Sequence, residues 1–138
     1  MKADKDILQA KLQIINKRLQ FLRKEKNSFD SSSSEKDVLA VKHALQEMIE
    51  ACLDIANHII SSENAGEAKT YASYFDKLHN ISIIDKNLKH NLRRMAKFRN
   101  VLVHLYADIE ISQVKEILNS NLQDIDEYAS CIYTYLEE

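Results

Sequence analysis

Residues 38 to 60 read VLAVKHALQEMIEACLDIANHII, and apolar side chains recur along them at intervals of three and four. An α-helix has about 3.6 residues per turn, so this spacing places the apolar side chains on one helical face. One row consists of Val38, Val41, Leu45, Met48, Cys52, Ile55 and Ile59, and a second row consists of Ile49, Leu53 and Ile60. Two rows make a wide apolar face, which predicts a long helix buried by more than one neighbour.

Polar connectors bound this predicted helix on both sides. Ser34, followed three residues later by Asp37, has the pattern of a helix N-cap. A run of serines separates it from an earlier amphipathic helix over residues 4–27. On the other side the apolar pattern stops near residues 61–66, where the single glycine, Gly66, lies.

Three further helices are predicted after Gly66. A short one with an aromatic face follows Thr70, and a longer one, capped by Ser82 with Asp85, runs over about residues 83–106. The last helix opens at Ser112.

The composition agrees with helices throughout, since the 138-residue chain has no proline and one glycine. We therefore predict an all-α fold, an up-and-down bundle of four long helices plus one short helix, in a single domain over residues 1–138. No glycine-rich loop is present to bring backbone amides close to a phosphate, which argues against a dinucleotide or Walker-type nucleotide site. No cofactor is predicted.

The same composition bears on location. The N-terminus lacks the pattern of a secretory signal, and no window approaches the roughly 20 apolar residues that span a bilayer. We expect a cytoplasmic protein with no membrane partner.

Cys52 and Cys131 lie far apart in apolar rows, which favours buried thiols over a disulfide.

Basic residues are concentrated in one segment, although the net charge is only −2. Residues 86–107 contain no acidic residue, whereas residues 108–138 contain eight acidic residues and Lys115 as the one basic residue. The basic residues of the first segment are Lys86, Lys89, Arg93, Arg94, Lys97 and Arg99. This segment is a candidate anion-binding surface.

Within that segment, residues 97–106 read KFRNVLVHLY. At about 100° per residue, the side of the helix that faces away from the core carries Arg99, Asn100, His104 and Tyr106, with Arg93 and Lys97 toward the same side. Arginine can bind a phosphate through two parallel hydrogen bonds, and histidine can exchange a proton near neutral pH. These groups suit metal-free cleavage of an RNA phosphodiester, although an ordinary solvated surface or a docking face for an acidic partner has the same residue types.

The octapeptide RNVLVHLY at residues 99–106 resembles the signature of HEPN ribonucleases in the form found in HepT toxins. The segments LDIANHII at residues 53–60 and YFDKL at residues 74–78 also resemble the HepT-like pattern. The resemblance covers most of the chain from about Val38 onward.

This resemblance implies a HEPN-like helical fold and a metal-independent endoribonuclease that acts on RNA as a homodimer, with the motifs of two subunits facing one composite cleft. It also implies a toxin that a cognate MntA-like nucleotidyltransferase antitoxin neutralises by transferring AMP to a tyrosine. Carried over residue by residue, Arg99 and His104 are catalytic, Asn100 is a supporting residue and Tyr106 is the modified tyrosine. Arg93 and Lys97 are candidate RNA-binding residues.

Asp54 and His58 lie four residues apart on the predicted second helix and so share a face. They are either structural residues or supporting residues that line the cleft. A metal site is disfavoured, because no third ligand lies at a suitable spacing. Tyr71, Tyr74 and Phe75 suit core packing better than base stacking.

Two functions other than the nuclease remain open. One is a non-catalytic HEPN binding module that docks a nucleotide or a nucleotidyltransferase. The other is a purely structural helical dimer.

Overall fold

The computed structural model describes residues 2–104 and 109–138, and in those residues the chain forms helices and no strands. The helices are α1 (Lys5–Glu25), α2 (Glu35–Ser62), α3 (Tyr71–Asn80), α4 (Lys86–His104), α5 (Ile111–Ser120) and α6 (Leu122–Leu136). The predicted all-α class is confirmed.

Helix α2 has 28 residues and packs against α1, α3 and α4. Both predicted apolar rows face the core: every member is buried except Val38, which is partly buried and packs against the others. The wide apolar face is therefore covered from more than one side, as its two rows predicted.

Local hydrogen bonds define where the helices begin. The Ser34 side chain accepts from the Asp37 backbone amide, which confirms the predicted N-cap of α2. At α4 the cap is Asp85, whose carboxylate accepts from the Leu88 amide at 2.8 Å. Ser82, predicted to share that role, instead has a φ of 65° in the preceding turn.

The predicted last helix is two helices, α5 and α6, and this part of the sequence interpretation was wrong. The chain leaves helical geometry at Asn121, where φ is −115° and ψ is −10°. Residues 119–121 read Asn-Ser-Asn, and such side chains compete with helical hydrogen bonds. The Asn121 side-chain amide donates to the Asp124 carboxylate at 3.2 Å, while its backbone amide still donates to the Ile117 carbonyl at 2.9 Å.

Both cysteines are free thiols, as predicted; Cys52 is buried in α2 and Cys131 is partly buried in α6. Burial raises the pKa of the Cys52 thiol far above its ordinary value. Among the residues that the structure describes, no helix is both long and apolar enough to cross a membrane.

One buried hydrogen bond links α6 to the middle of α2, and it makes a test of this packing. The Tyr128 hydroxyl donates to the Cys52 carbonyl at 2.9 Å, and Tyr128 is fully buried. We expect Tyr128→Phe to lower the free energy of unfolding by about 1 kcal/mol, because the ring still fills its site while the bond is lost. Urea denaturation followed by circular dichroism measures this change.

Tyr133→Phe is the matched control. The Tyr133 hydroxyl accepts from the Asn16 side chain at an exposed site, so this change should cost less than about 0.5 kcal/mol. Equal effects of the two substitutions would contradict the role given to Tyr128.

Candidate active site at the end of helix α4

Arg99 lies in the last turns of α4, with its side chain between α2 and the first residue of α3. Its Nη2 is 3.4 Å from the Glu50 carboxylate, and its guanidinium carbon lies 4.7 Å from the centre of the Tyr71 ring. The side chain is only 19% exposed. An ion pair and a cation–π contact therefore hold this cation in one place, partly withdrawn from water.

Asn100 and His104 occupy the exposed side of the same helix end. The Asn100 side-chain oxygen accepts from Arg99 Nη1 at 3.5 Å, the limit of a hydrogen bond. His104 is exposed and makes no hydrogen bond or ion pair within residues 2–104 and 109–138. Its imidazole is thus open to a ligand, whereas Arg99 is restrained.

The structure brings Arg99 and Asn100 together and leaves His104 one turn further along the helix. Tyr106, the predicted modification site, lies outside the described residues.

Arg93 and Lys97, the predicted RNA-binding residues, differ in their surroundings. Arg93 forms an ion pair with Asp76 and also donates to the Ala72 carbonyl at 3.4 Å, so it links α4 to α3. Lys97 is exposed and borders a depression together with Asn100. Of the two cations, Lys97 is the one that forms no ion pair with any residue described in the structure.

Asp54 and His58 face helix α1. The Asp54 carboxylate pairs with Lys11 at 2.9 Å, and His58 Nε2 accepts from the Asp4 backbone amide at 2.9 Å. They follow Glu50 at steps of four residues, each of which moves about 6 Å along the helix axis and about 40° around it. These steps carry them away from Arg99, and their role as supporting residues stays a prediction.

The sequence did not predict that Glu50 and Tyr71 would contact Arg99. Glu50 precedes Arg99 by 49 residues, and no spacing rule connects the two helices. Tyr71 was assigned to core packing, yet it is 36% exposed and carries the guanidinium of Arg99 on its ring. Phe75 is buried as predicted.

These groups can bind and stabilise a phosphodiester. Arg99 supplies a fixed positive charge, His104 supplies a proton donor or acceptor, and Asn100 supplies a neutral amide beside Arg99. Glu50 offsets part of the arginine charge, so an anion that binds must compete with this carboxylate.

Comparison with known proteins relates this arrangement to a family. A family model described as ribonuclease HepT-like matches residues 11–132. The chain belongs to the HepT-like ribonuclease family. This confirms the resemblance to HepT toxins and, with it, the prediction of an endoribonuclease.

Two relatives carry related names. The chain is 32% identical over 88 residues to the mRNA nuclease HepT of Shewanella oneidensis, a match that spans 64% of this chain and 66% of the relative. It is 31% identical over 132 residues to the tRNA nuclease HepT of Aphanizomenon flos-aquae, spanning 94% of this chain and 90% of that relative.

Solved structures agree with the HepT-like assignment. A tri-AMPylated HEPN toxin of Shewanella oneidensis in complex with the MNT antitoxin superposes with a TM-score of 0.80 at 28% identity, covering 95% of this chain and 99% of that one. A chain of a toxin–antitoxin structure with AMP-PNP gives 0.83 at 26% identity, covering 94% and 98%. The Bacillus subtilis protein YutE gives 0.85 at 20% identity, covering 99% and 92%, which shows a shared fold.

The surroundings of Arg93 predict that it stabilises the site framework. We expect Arg93→Ala to lower the free energy of unfolding by roughly 1 kcal/mol, because the substitution removes a partly exposed ion pair and a backbone contact. Chemical denaturation measures the change.

Arg94→Ala is the control, since Arg94 is exposed and, among the residues that the structure describes, donates to Asn91 on its own helix and to no other side chain. It should change stability by no more than about 0.5 kcal/mol. If Arg93→Ala changed the free energy of unfolding as little as Arg94→Ala does, the packing of α3 on α4 would depend on other contacts.

Proposed function

We propose that this chain is the toxin of a toxin–antitoxin pair, a metal-independent endoribonuclease whose catalytic residues are Arg99 and His104. The observation that carries the proposal is the pairing of a restrained cation with an open imidazole at one end of α4. Asn100, which contacts Arg99, is the supporting residue. The names of the two HepT nuclease relatives support RNA as the substrate.

The reaction proposed is attack of a ribose 2′-oxygen on the adjacent phosphorus, with cleavage of the bond to the 5′-oxygen. One imidazole removes the proton of the 2′-hydroxyl, and a protonated imidazole gives a proton to the leaving 5′-oxygen. Arg99 stabilises the negative charge that builds on the phosphoryl oxygens. The products are a 2′,3′-cyclic phosphate, which water can open to a 3′-phosphate, and a 5′-hydroxyl end.

A homodimer fits this reaction, because one His104 cannot be base and acid in the same step. Two copies with their α4 ends facing each other would supply both imidazoles to a composite cleft. Val103, next to His104, is an apolar side chain that is 36% exposed. Apolar surface around the site supports its coverage by a second copy.

Neutralisation by a nucleotidyltransferase antitoxin completes the proposal. The AMPylated relative in complex with its MNT antitoxin supports AMP transfer, and Tyr106 follows His104 by two residues in the motif. The single domain over residues 1–138 and a cytoplasmic location belong to the same proposal.

The second candidate is a non-catalytic module that docks a nucleotide or the antitoxin. The ion pair between Arg99 and Glu50 favours docking of the antitoxin, because a carboxylate next to the arginine weakens its attraction for a phosphate, whether of RNA or of a nucleotide.

Substitution of either catalytic residue tests the first candidate against the second. In EDTA, the unmodified wild type should cut RNA and leave 2′,3′-cyclic phosphate ends. His104→Ala and Arg99→Ala should each lower the rate at least about 100-fold, because proton transfer and charge stabilisation each contribute about that much. Gel analysis with end-group mapping measures both.

His90→Ala is the matched control, since His90 lies exposed on α4 and belongs to no proposed site. It should cut at the wild-type rate. Cleavage that survives both active-site substitutions rules out the nuclease as assigned, and intact RNA with every unmodified protein favours the binding module.

The modification is tested by intact mass. Protein made together with its cognate nucleotidyltransferase should gain one or more AMP masses and lose cleavage, whereas protein made alone should gain none. Tyr106→Phe should abolish the first addition because it removes the phenolic oxygen that accepts AMP. An unchanged mass pattern in that variant would assign the modification elsewhere.

A further inference from the structure

A groove lies beside Asn100, where the start of α3 meets the last turns of α4, and its Tyr71 contacts Arg99. Two adjoining depressions, of about 360 and 400 Å³, share Thr70, Tyr71 and Asn100 as lining residues. Lys97 lines the first, and Lys69 and Tyr74 line the second. We call these six residues together the α3–α4 groove.

Two kinds of group dominate this groove. Lys69 and Lys97 are exposed cations, one on each side of it. Tyr71 lies between them and is partly exposed. Two contacts restrain its ring: the Tyr74 ring packs edge-to-face with the ring centres 5.7 Å apart, and the Arg99 guanidinium carbon lies 4.7 Å from the ring centre. A restrained aromatic ring between cations is the arrangement that binds single-stranded nucleic acid, with bases stacked on the ring and phosphates beside the lysines.

The backbone amides of Thr70 and Ser73 at the start of α3 are already bound, because the two residues form a reciprocal capping box. Binding in the groove therefore depends on side chains, above all Lys69, Tyr71 and Lys97.

We infer that the α3–α4 groove binds the single-stranded RNA next to the scissile phosphate, with one base stacked on Tyr71 and adjacent phosphates contacted by Lys69 and Lys97. This inference rests on the proposed ribonuclease function and extends it from the catalytic residues to a substrate subsite. A single strand is required, because a base must leave its helical stack to reach the ring.

Tyr71 also holds Arg99, so the experiment must separate stacking from positioning. The probe is a fluorescent 2′-O-methyl oligonucleotide, which lacks the attacking hydroxyl and stays intact, and its affinity is measured by anisotropy. We expect Tyr71→Leu to weaken binding about tenfold, both in the wild-type background and in Arg99→Ala. Tyr71→Phe keeps the ring and should stay within about twofold of the parent.

The lysine contact is tested through salt dependence. Lys69→Ala should lower the slope of log affinity against log salt by about 0.7, the value for one phosphate of a single strand. The matched control is Lys17→Ala, an equal change of charge at an exposed position of α1, which packs against α2 and α6. Its slope should equal that of the wild type.

Two results would overturn the inference. In one, Tyr71→Leu has no effect on affinity once Arg99 is alanine, which would make the tyrosine a positioning residue only. In the other, Lys69→Ala and Lys17→Ala change the slope equally. Circular dichroism of each variant confirms that the loss is not unfolding.

The experiments distinguish failure of the RNA-binding inference from failure of the proposed ribonuclease function. Normal cleavage that depends on His104, with unchanged affinity in the Tyr71 and Lys69 variants, would remove the subsite and keep the enzyme. The expected affinity changes without cleavage of natural RNA would keep the binding site and remove the catalytic proposal.

Discussion

Helix α2 is covered by α1, α3 and α4, and this packing determines where the polar groups of the site meet. A buried leucine or isoleucine side chain contributes about 1.5–3 kcal/mol, and α2 buries many such side chains. A partly exposed ion pair contributes about 1 kcal/mol or less. Apolar packing therefore sets the distance between α2 and α4, and the contact of Glu50 with Arg99 follows from it.

That contact gives the two proposed catalytic groups different environments. Arg99 is mostly withdrawn from water and is held on two sides, by a carboxylate and by an aromatic ring. His104 is exposed, and no residue in the described part of the chain restrains it in this way. A fixed cation lowers the reorganisation needed to stabilise developing charge, while an open imidazole can approach the atoms between which a proton moves. Glu50 weakens the attraction of Arg99 for a phosphate, because any phosphate must compete with its carboxylate.

Particular residues show how far the sequence could be interpreted. The two rows of α2 are a local periodicity, and the helix and its buried face were both predictable from them. The break at Asn121 was missed, because polar residues are common on the exposed sides of helices and do not by themselves mark an end. Glu50 was also missed, since nothing in the sequence links it to a partner 49 residues away.

The amino-acid sequence alone determined the helical class, the N-cap at Ser34, and the clustering of arginine, asparagine and histidine near the end of α4. These properties depend on residues within a few turns of one another, and local spacing records them. Packing between helices decided that Arg99 lies against Glu50 and Tyr71, that Arg93 is tied to α3, and that Asp54 and His58 face α1. Those outcomes depend on how helices rotate against each other, which a linear pattern does not specify.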